Sequence, residues 1–122
     1  MTVKDFVKWI YPQARKMGEI NPVFVTAQAA LESGWGKSAI GNNLFGITKG
    51  SSWKGAVRLV TTTEYFSRPD VGFKAPEKVL QVVRLSEKRY RYTVKRLFRD
   101  YDSVADCLAD PLAILKKPGF AD

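Results

Sequence analysis

Residues 30–38 of this chain read Ala-Leu-Glu-Ser-Gly-Trp-Gly-Lys-Ser, and residues 41–47 read Gly-Asn-Asn-Leu-Phe-Gly-Ile. A lone glutamate, Glu32, closes an apolar helical pattern, and two glycines flank the tryptophan that follows it. The second segment is a turn rich in glycine and asparagine around Phe45. A carboxyl group in a sheltered position beside aromatic surface is what the cleavage of a sugar bond requires.

The apolar pattern before Glu32 predicts a helix from Asn21 to about Ser33. Asn21 is a typical N-cap with proline at the first helical position, and Gly34 can adopt the left-handed conformation that ends a helix. Glu32 then lies in the last turn, where the helix dipole disfavours an ionised carboxylate.

The surroundings predicted for Glu32 suit a general acid. Val25 and Ala29 precede it on the same flank of the helix, with Gln28 beside them, so we expect its side chain to be partly buried. Partial burial and the dipole both favour the protonated carboxyl, which is the form that donates a proton. The residues alone fit a surface glutamate at a frayed helix end equally well.

The patterns along the chain predict an α+β fold, with helices at both ends and a small antiparallel sheet between them. The predicted helices cover residues 4–18, 21–33 and 103–116, and the predicted strands cover residues 56–66, 78–85 and 90–98. We expect Pro12 to kink the first helix or delay its start, and Pro111 to interrupt the last. A four-residue loop, Ser86–Arg89, is expected to join the last two strands.

Composition excludes several classes of protein. The 122 residues suit one domain over 1–122, and no apolar run approaches the ~20 residues of a membrane helix. With no histidine and one cysteine, the chain cannot form Ser-His or Cys-His nucleophilic sites, zinc sites of those residues, or an intrachain disulfide. We expect Cys107 to pack in the core, and we expect no metal and no cofactor. The start of the chain has no signal-peptide pattern, so either export uses another route or a leader is missing.

The charge balance predicts an anionic partner. The net charge is +8, from 20 Lys and Arg against 12 Asp and Glu. Nucleic acid, a wall polymer and a membrane surface fit this composition equally well, and so does an ordinary basic surface.

Without histidine, acid–base chemistry falls to the carboxylates. Most of them, such as Glu77 and Glu87, lie among basic residues at strand ends and fit solvated surface charges. Glu64 is the second catalytic candidate, in the Thr-Thr-Thr-Glu-Tyr segment at 61–65 and on the strand face away from Leu59, although a solvated strand charge is the simpler interpretation. Glycosidases commonly pair two carboxyl groups, and their separation decides the mechanism.

Five aromatic residues could supply surface for a sugar. They are Trp35, Phe45, Trp53, Tyr65 and Tyr101. Most aromatic side chains in a small domain pack in the core, so the best candidate for ligand contact is Trp35, which stands between two glycines three residues after Glu32.

Several of these motifs together match a known family. The matching segments are Ala30–Ser38, Asn43–Ile47, Trp53–Gly55, Thr61–Tyr65, Phe98 and Tyr101–Ser103. In order and approximate spacing, they resemble the peptidoglycan endo-β-N-acetylglucosaminidases of glycoside hydrolase family 73, which include the hydrolase domain of the flagellar rod-assembly protein. The resemblance covers nearly the whole chain.

The resemblance implies a lysozyme-like fold, with the sheet bordering a cleft, and cleavage of the β-1,4 bond between N-acetylglucosamine and N-acetylmuramic acid. Glu32 matches the general acid of the family, and Glu64 matches the second acidic residue on the hairpin. Glu64 would either activate water or assist while the N-acetyl group of the substrate acts as internal nucleophile.

The same resemblance suggests substrate-binding residues and partners. The substrate-binding residues are expected to be Trp35, Asn43, Phe45, Tyr65 and Tyr101. The partner would be peptidoglycan glycan strands and not nucleic acid, and a monomer would act on the cell wall, in the periplasm or outside the cell.

The sequence departs from the family in two places. The stretch from Phe66 to Val94 looks longer than usual, which could move Glu64 or add a hairpin that contacts the wall. The chain also ends at Asp122, where the family normally continues into another helical segment, so we expect a domain shortened at its C-terminus.

The sequence therefore leaves four candidate functions. The first is the glucosaminidase, and the second is a catalytically weak module that binds peptidoglycan through an incomplete site. A muramidase or lytic transglycosylase is a further possibility within the enzyme class. A basic nucleic-acid binder is the last, and no recognised motif supports it.

Overall fold

The structure, a computed structural model, describes residues 1–18 and 21–115. Its helices are α1 (Val3–Met17), α2 (Pro22–Ser33), α3 (Val104–Ala109) and α4 (Pro111–Leu115). Its strands are β1 (Val57–Phe66), β2 (Lys78–Ser86) and β3 (Arg89–Arg99). The predicted α+β class is confirmed. None of the helices in these two ranges has the length and apolar character needed to span a membrane.

Helix α1 begins one residue earlier than predicted because its N-terminus is capped. The hydroxyl of Thr2 accepts from the backbone N–H of Asp5 at 3.0 Å, and the carboxylate of Asp5 accepts from the N–H of Thr2 at 3.4 Å. The helix runs through Pro12 without interruption and ends at Gly18, whose φ of 71° gives the left-handed cap.

Helix α2 has the predicted bounds and both predicted caps. Oδ1 of Asn21 accepts from the N–H groups of Val23 and Phe24, at 2.8 and 3.3 Å. Gly34, at φ 56°, turns the chain out of the helix, and its N–H group bonds back to the last helical carbonyls.

The helices share one apolar core with the loop that follows α2. The core residues are Phe6, Ile10, Ala14, Val25, Ala29, Ala30, Leu44, Phe45, Ile47, Tyr101, Val104, Cys107, Leu108 and Ala113. Cys107 is fully buried, as predicted.

The last predicted helix is two short helices. Proline cannot donate the backbone hydrogen bond that a continuous helix needs at its position, so the chain breaks at Asp110 and restarts at Pro111. The predicted helix end at Lys116 lies outside the described residues.

The three strands form one antiparallel sheet in the order β1-β3-β2. Strands β2 and β3 are longer than predicted, and Ser86 pairs with Arg89. The predicted four-residue loop is therefore wrong, since only Glu87 and Lys88 turn the chain between the strands.

The two faces of the sheet differ in burial. The face that carries Tyr92, Val94 and Phe98 is buried, and the connection 67–77 covers part of it. The hydroxyl of Tyr92 donates to the carbonyl of Arg68 at 2.6 Å, and the ring of Phe73 packs on Phe66. We call this the covered face, and the opposite side of the sheet the outward face.

The sheet and the helices form separate packing units. Within residues 1–18 and 21–115, α1 packs on α2 and α3, the strands pack on one another, and no helix packs directly on the sheet. The segment 40–56 links them, because the backbone at Ile47–Lys49 bonds to the end of β3.

Candidate active site

Glu32 lies at the end of α2 with its carboxyl group in solvent. The residues on its flank, Val25, Gln28 and Ala29, are buried, but Glu32 itself is exposed, so its predicted partial burial is wrong. In the last turn of α2, Leu31 and Glu32 face solvent, whereas Ala30 and Ser33 are buried. Nε2 of Gln28 donates to Oε1 of Glu32 at 2.7 Å. A buried amide thus fixes a carboxyl group that a substrate can reach.

The turn after Glu32 has three successive residues in the left-handed conformation. The φ angles of Gly34, Trp35 and Gly36 are 56°, 58° and 88°. Glycine adopts this conformation without strain, whereas for tryptophan it is rare. The hydroxyl of buried Ser33 accepts from the N–H of Gly36 at 2.9 Å and so holds the turn closed.

Trp35 lies in this turn, three residues after Glu32, and lines an apolar groove between α1 and α2 with Val7, Tyr11, Val23, Thr26 and Ala27. The indole is 40% exposed, and its ring meets that of buried Phe6 edge to face, with the centroids 5.6 Å apart. One side of the indole is therefore anchored in the core, and the rest offers an apolar surface to a ligand.

Asn43 and Phe45 lie inside the protein. Nδ2 of Asn43 donates to the carbonyls of Ile47 and Arg99, both at 2.9 Å, and Oδ1 accepts from the N–H of Ile47 at 3.0 Å. Phe45 is 3% exposed in the helical core. Both residues shape the turn after α2, and Asn43 ties that turn to the end of β3.

Glu64 lies on the covered face of β1 in an ion pair. Nη1 of Arg96 is 2.8 Å from Oε1 and 2.9 Å from Oε2 of Glu64. Nε of Arg96 also donates to Oε2 of Glu77 at 3.3 Å, and the guanidinium lies over the ring of Phe73 at 5.0 Å. The carboxylate of Glu64 is 24% exposed, so it is not the solvated strand charge of the simpler interpretation.

The same cluster corrects the expectation for Glu77. Its carboxylate, 20% exposed, accepts from the backbone N–H of Leu97 at 2.9 Å as well as from Arg96. It is therefore a partly buried member of the cluster and not a solvated surface charge. Burial lowers the pKa of Arg96, but the hydrogen bonds and charges of Glu64 and Glu77 outweigh it and raise this pKa above its ordinary value.

Tyr65 lies on the other side of the sheet from Glu64. Successive side chains of a strand point to opposite faces, so these two predicted site residues are not brought together. Tyr65 is 52% exposed on the outward face, and the guanidinium of Arg89 lies 4.6 Å from the centre of its ring.

Tyr101 is part of a buried network that the sequence patterns do not predict. Its hydroxyl donates to Oδ2 of Asp110 at 2.6 Å, and Nη1 of Arg99 donates to the same oxygen at 2.8 Å. Oδ1 of Asp110 accepts from the N–H of Leu112 at 2.9 Å. The only sequence signal for this network is the aspartate directly before Pro111, at the break between α3 and α4.

The network shifts two pKa values in opposite directions. Burial raises the pKa of Tyr101, and its hydrogen bond to Asp110 raises it further. Burial also raises the pKa of Asp110, but the hydrogen bonds from Tyr101, Leu112 and Arg99 outweigh it and lower this pKa below its usual range. Asp110 is therefore a buried anion that needs all of these donors.

A pocket of about 490 Å³ opens beside this network. Trp53, Tyr101 and Asp106 are among its lining residues, whereas Glu32 and Glu64 are not. Trp53 is half-buried, with its ring 5.5 Å from that of Tyr101.

The covered face of the sheet contacts the loop after α2 near the start of β1. A side chain at Gly41 would place its Cβ 2.9 Å from both terminal nitrogens of Arg58, which lies on the same face as Glu64. Arg58 also pairs with Asp100 at 3.3 Å. Glu64 is six residues farther along β1, about 20 Å of extended strand. The second carboxyl group thus lies far out on the sheet from this junction.

No group of three or more acidic, histidine or cysteine side chains in the described ranges could hold a metal ion.

Comparison with known proteins gives the family. The chain matches the glucosaminidase family model, described as mannosyl-glycoprotein endo-beta-N-acetylglucosaminidase, over residues 8–121. It is 34% identical over 129 residues to the peptidoglycan hydrolase FlgJ of Salmonella typhimurium. The aligned region covers 97% of this chain and 34% of that protein. The FlgJ of Escherichia coli K12 is 34% identical over 105 residues, covering 80% of this chain and 27% of the relative.

A further FlgJ, from Pseudomonas aeruginosa, is 44% identical over 71 residues, or 50% of this chain and 18% of that protein. The chain spans about a third or less of the length of these relatives. No solved structure matches the chain significantly. The match across nearly all of its residues means that the chain belongs to the glucosaminidase family of glycoside hydrolases, family 73.

Proposed function

We propose that this chain hydrolyses peptidoglycan at the β-1,4 bond between N-acetylglucosamine and N-acetylmuramic acid, with Glu32 as the general acid. The observation that carries the proposal is the placement of Glu32, a reachable carboxyl group that the buried amide of Gln28 holds at 2.7 Å. Family membership and the names of the FlgJ relatives support peptidoglycan as the substrate. Action would then take place at the cell wall.

The reaction needs a proton on the departing oxygen. In the proposed mechanism Glu32 donates that proton as the bond from the sugar C1 to the glycosidic oxygen breaks. Trp35 is 40% exposed and remains the candidate for contact with a sugar ring among the predicted substrate-binding residues close to α2 in the sequence. Asn43, Phe45 and Tyr101 are buried, so we assign them to holding the surrounding loops and not to direct sugar contact.

The position of Glu64 favours a substrate-assisted route. Its carboxylate is paired with Arg96, on a part of β1 about 20 Å from the strand's junction at Arg58. In this route the carbonyl oxygen of the substrate's own acetamido group attacks C1, and water then opens the cyclic intermediate. Glu64 would assist from the far wall of a lysozyme-like cleft between the sheet and α2.

The products test the bond that is cleaved. We expect the chain to release reducing sugar from purified peptidoglycan, with N-acetylglucosamine at the new reducing end in mass spectra of the fragments. N-acetylmuramic acid at that end would identify a muramidase, and an anhydro product a lytic transglycosylase. Binding to peptidoglycan without hydrolysis would favour the weak binding module instead.

Glu64→Gln should lower hydrolysis less than Glu32→Gln does. We expect about a tenfold loss, because the proposed route needs no second catalytic carboxylate and the variant removes about 1.4 kcal/mol of charge stabilisation. Reducing-sugar release measures the loss. Arg96→Gln is the matched control, since it breaks the same ion pair but keeps the carboxylate. If Glu64→Gln were inactive and Arg96→Gln active, Glu64 would be the catalytic base and the substrate-assisted route would be wrong.

A further inference from the structure

Nearly all of the net charge lies in one hairpin. Residues 78–99, which form β2, its turn and β3, contain eight Lys or Arg and a single Glu, a net charge of +7 out of +8 for the chain. Two of these cations have internal partners, Arg96 with Glu64 and Arg99 with Asp110.

The other six cations are exposed. They are Lys78, Arg84, Lys88, Arg89, Arg91 and Lys95. No carboxylate in the described part of the chain forms an ion pair with any of them. The covered face carries Glu64 and Glu77 in the Arg96 cluster, whereas the strand residues of the outward face include no acidic side chain.

Three of these cations form a row on the outward face of the sheet. Lys78 pairs directly with Lys95 across β2 and β3, and Arg91 lies on the same side of β3, about 14 Å farther along the strand. Like charges that face each other across a sheet destabilise it. This row therefore opposes folding and suits a surface that meets an external anion.

The outward face also offers surface for a sugar or peptide. Beside the cations lie Tyr65, 52% exposed, and Leu59, 43% exposed. An aromatic ring and an aliphatic side chain among separated cations fit an extended anionic polymer with apolar groups better than a small ion.

We propose that the outward face, defined by Leu59, Tyr65, Lys78, Arg91 and Lys95, binds the carboxylates of the peptide stems of peptidoglycan. The proposal rests on the proposed function only in taking peptidoglycan as the partner. Because side chains alternate along a strand, this surface lies on the opposite side of the sheet from Glu64. The wall would be held on one face while the glycan strand is cut on the other.

The test uses a triple variant, Lys78→Gln with Arg91→Gln and Lys95→Gln, in the full chain. We expect its pelleting with purified peptidoglycan at low salt to weaken about tenfold, since each exposed ion pair adds little alone. Wild-type pelleting should fall as salt is added, because salt screens exposed charges. Peptidoglycan with amidated stem carboxylates should bind the wild type as weakly as the triple variant binds untreated peptidoglycan.

The matched control replaces three exposed cations of α1, Lys4, Lys8 and Lys16, with glutamine. It should pellet like the wild type, and hydrolysis of a short soluble glycan without stem peptides should be the same in all three proteins. Equal pelleting of the two triple variants would overturn the proposal. So would a loss of activity on the soluble glycan, or pelleting that competing DNA abolishes. Glu32→Gln should still pellet normally, which separates docking from catalysis.

Discussion

Replacement of Glu32 by glutamine is expected to lower reducing-sugar release from peptidoglycan by about 10²- to 10⁴-fold, the usual contribution of a positioned general acid. Glutamine has the same shape and can still accept the hydrogen bond from Gln28, so the end of α2 should be unchanged. What the variant lacks is the proton that the departing oxygen needs. Initial rates on purified peptidoglycan measure the effect.

Two controls isolate the chemistry. Glu87→Gln makes the same change at an exposed carboxylate in the turn between β2 and β3, and it should keep wild-type activity. Thermal unfolding of Glu32→Gln should match the wild type, because the side chain is exposed and adds little to the core. Equal rates in Glu32→Gln and the wild type would contradict the assignment of the general acid.

The local part of this site could be predicted from the sequence. The bounds of α2 follow from Asn21, Pro22 and Gly34, because caps act within one turn of the helix that they end. The alternation along β1 likewise separates the face of Glu64 from that of Leu59. Such signals depend only on neighbours in the sequence, so they can be recognised without knowledge of the fold.

The parts that depend on distant residues could not be predicted. Glu64 meets Arg96 across 32 positions of the chain, and only the register of β1 with β3 reveals that partner. The burial of Glu32 was predicted wrongly because one side of the last turn of α2 faces solvent, although Ala30 and Ser33 in the same turn are buried.

The burial of three motif residues also depends on distant parts of the chain and could not be predicted. Asn43, Phe45 and Tyr101 stand in motifs shared with the family, which suggested contact with substrate. The hydrogen bonds of Asn43 span 56 positions of the chain to reach Arg99, and those of Tyr101 lead to Asp110. A family motif therefore mixes residues that meet the substrate with residues that hold the loops in place, and only the packing separates them.

Asp110→Asn should be the most destabilising conservative change at this network. Asp110 is 5% exposed, and its Oδ2 accepts from both Arg99 and Tyr101. An asparagine would place a neutral amide there and leave the guanidinium of Arg99, 6% exposed, without its counter-charge. Breaking a buried ion pair by removing one partner costs about 3 kcal/mol or more. For a domain of this size we expect the midpoint of thermal unfolding to fall by about 10–15 °C.

The pKa of Asp110 determines how the stability difference between the wild type and Asp110→Asn changes with pH. The folded protein holds the pKa of Asp110 below its ordinary value of 3.8, so the carboxylate stabilises the fold fully above that pH. The contribution is lost as the pH falls below 3.8 towards the folded-state pKa. The stability difference between the wild type and Asp110→Asn should therefore be constant near neutral pH and shrink in acid. Asp102→Asn, at an exposed carboxylate, should unfold like the wild type. A difference that persists unchanged in acid would mean that the charge of Asp110 does not stabilise the network.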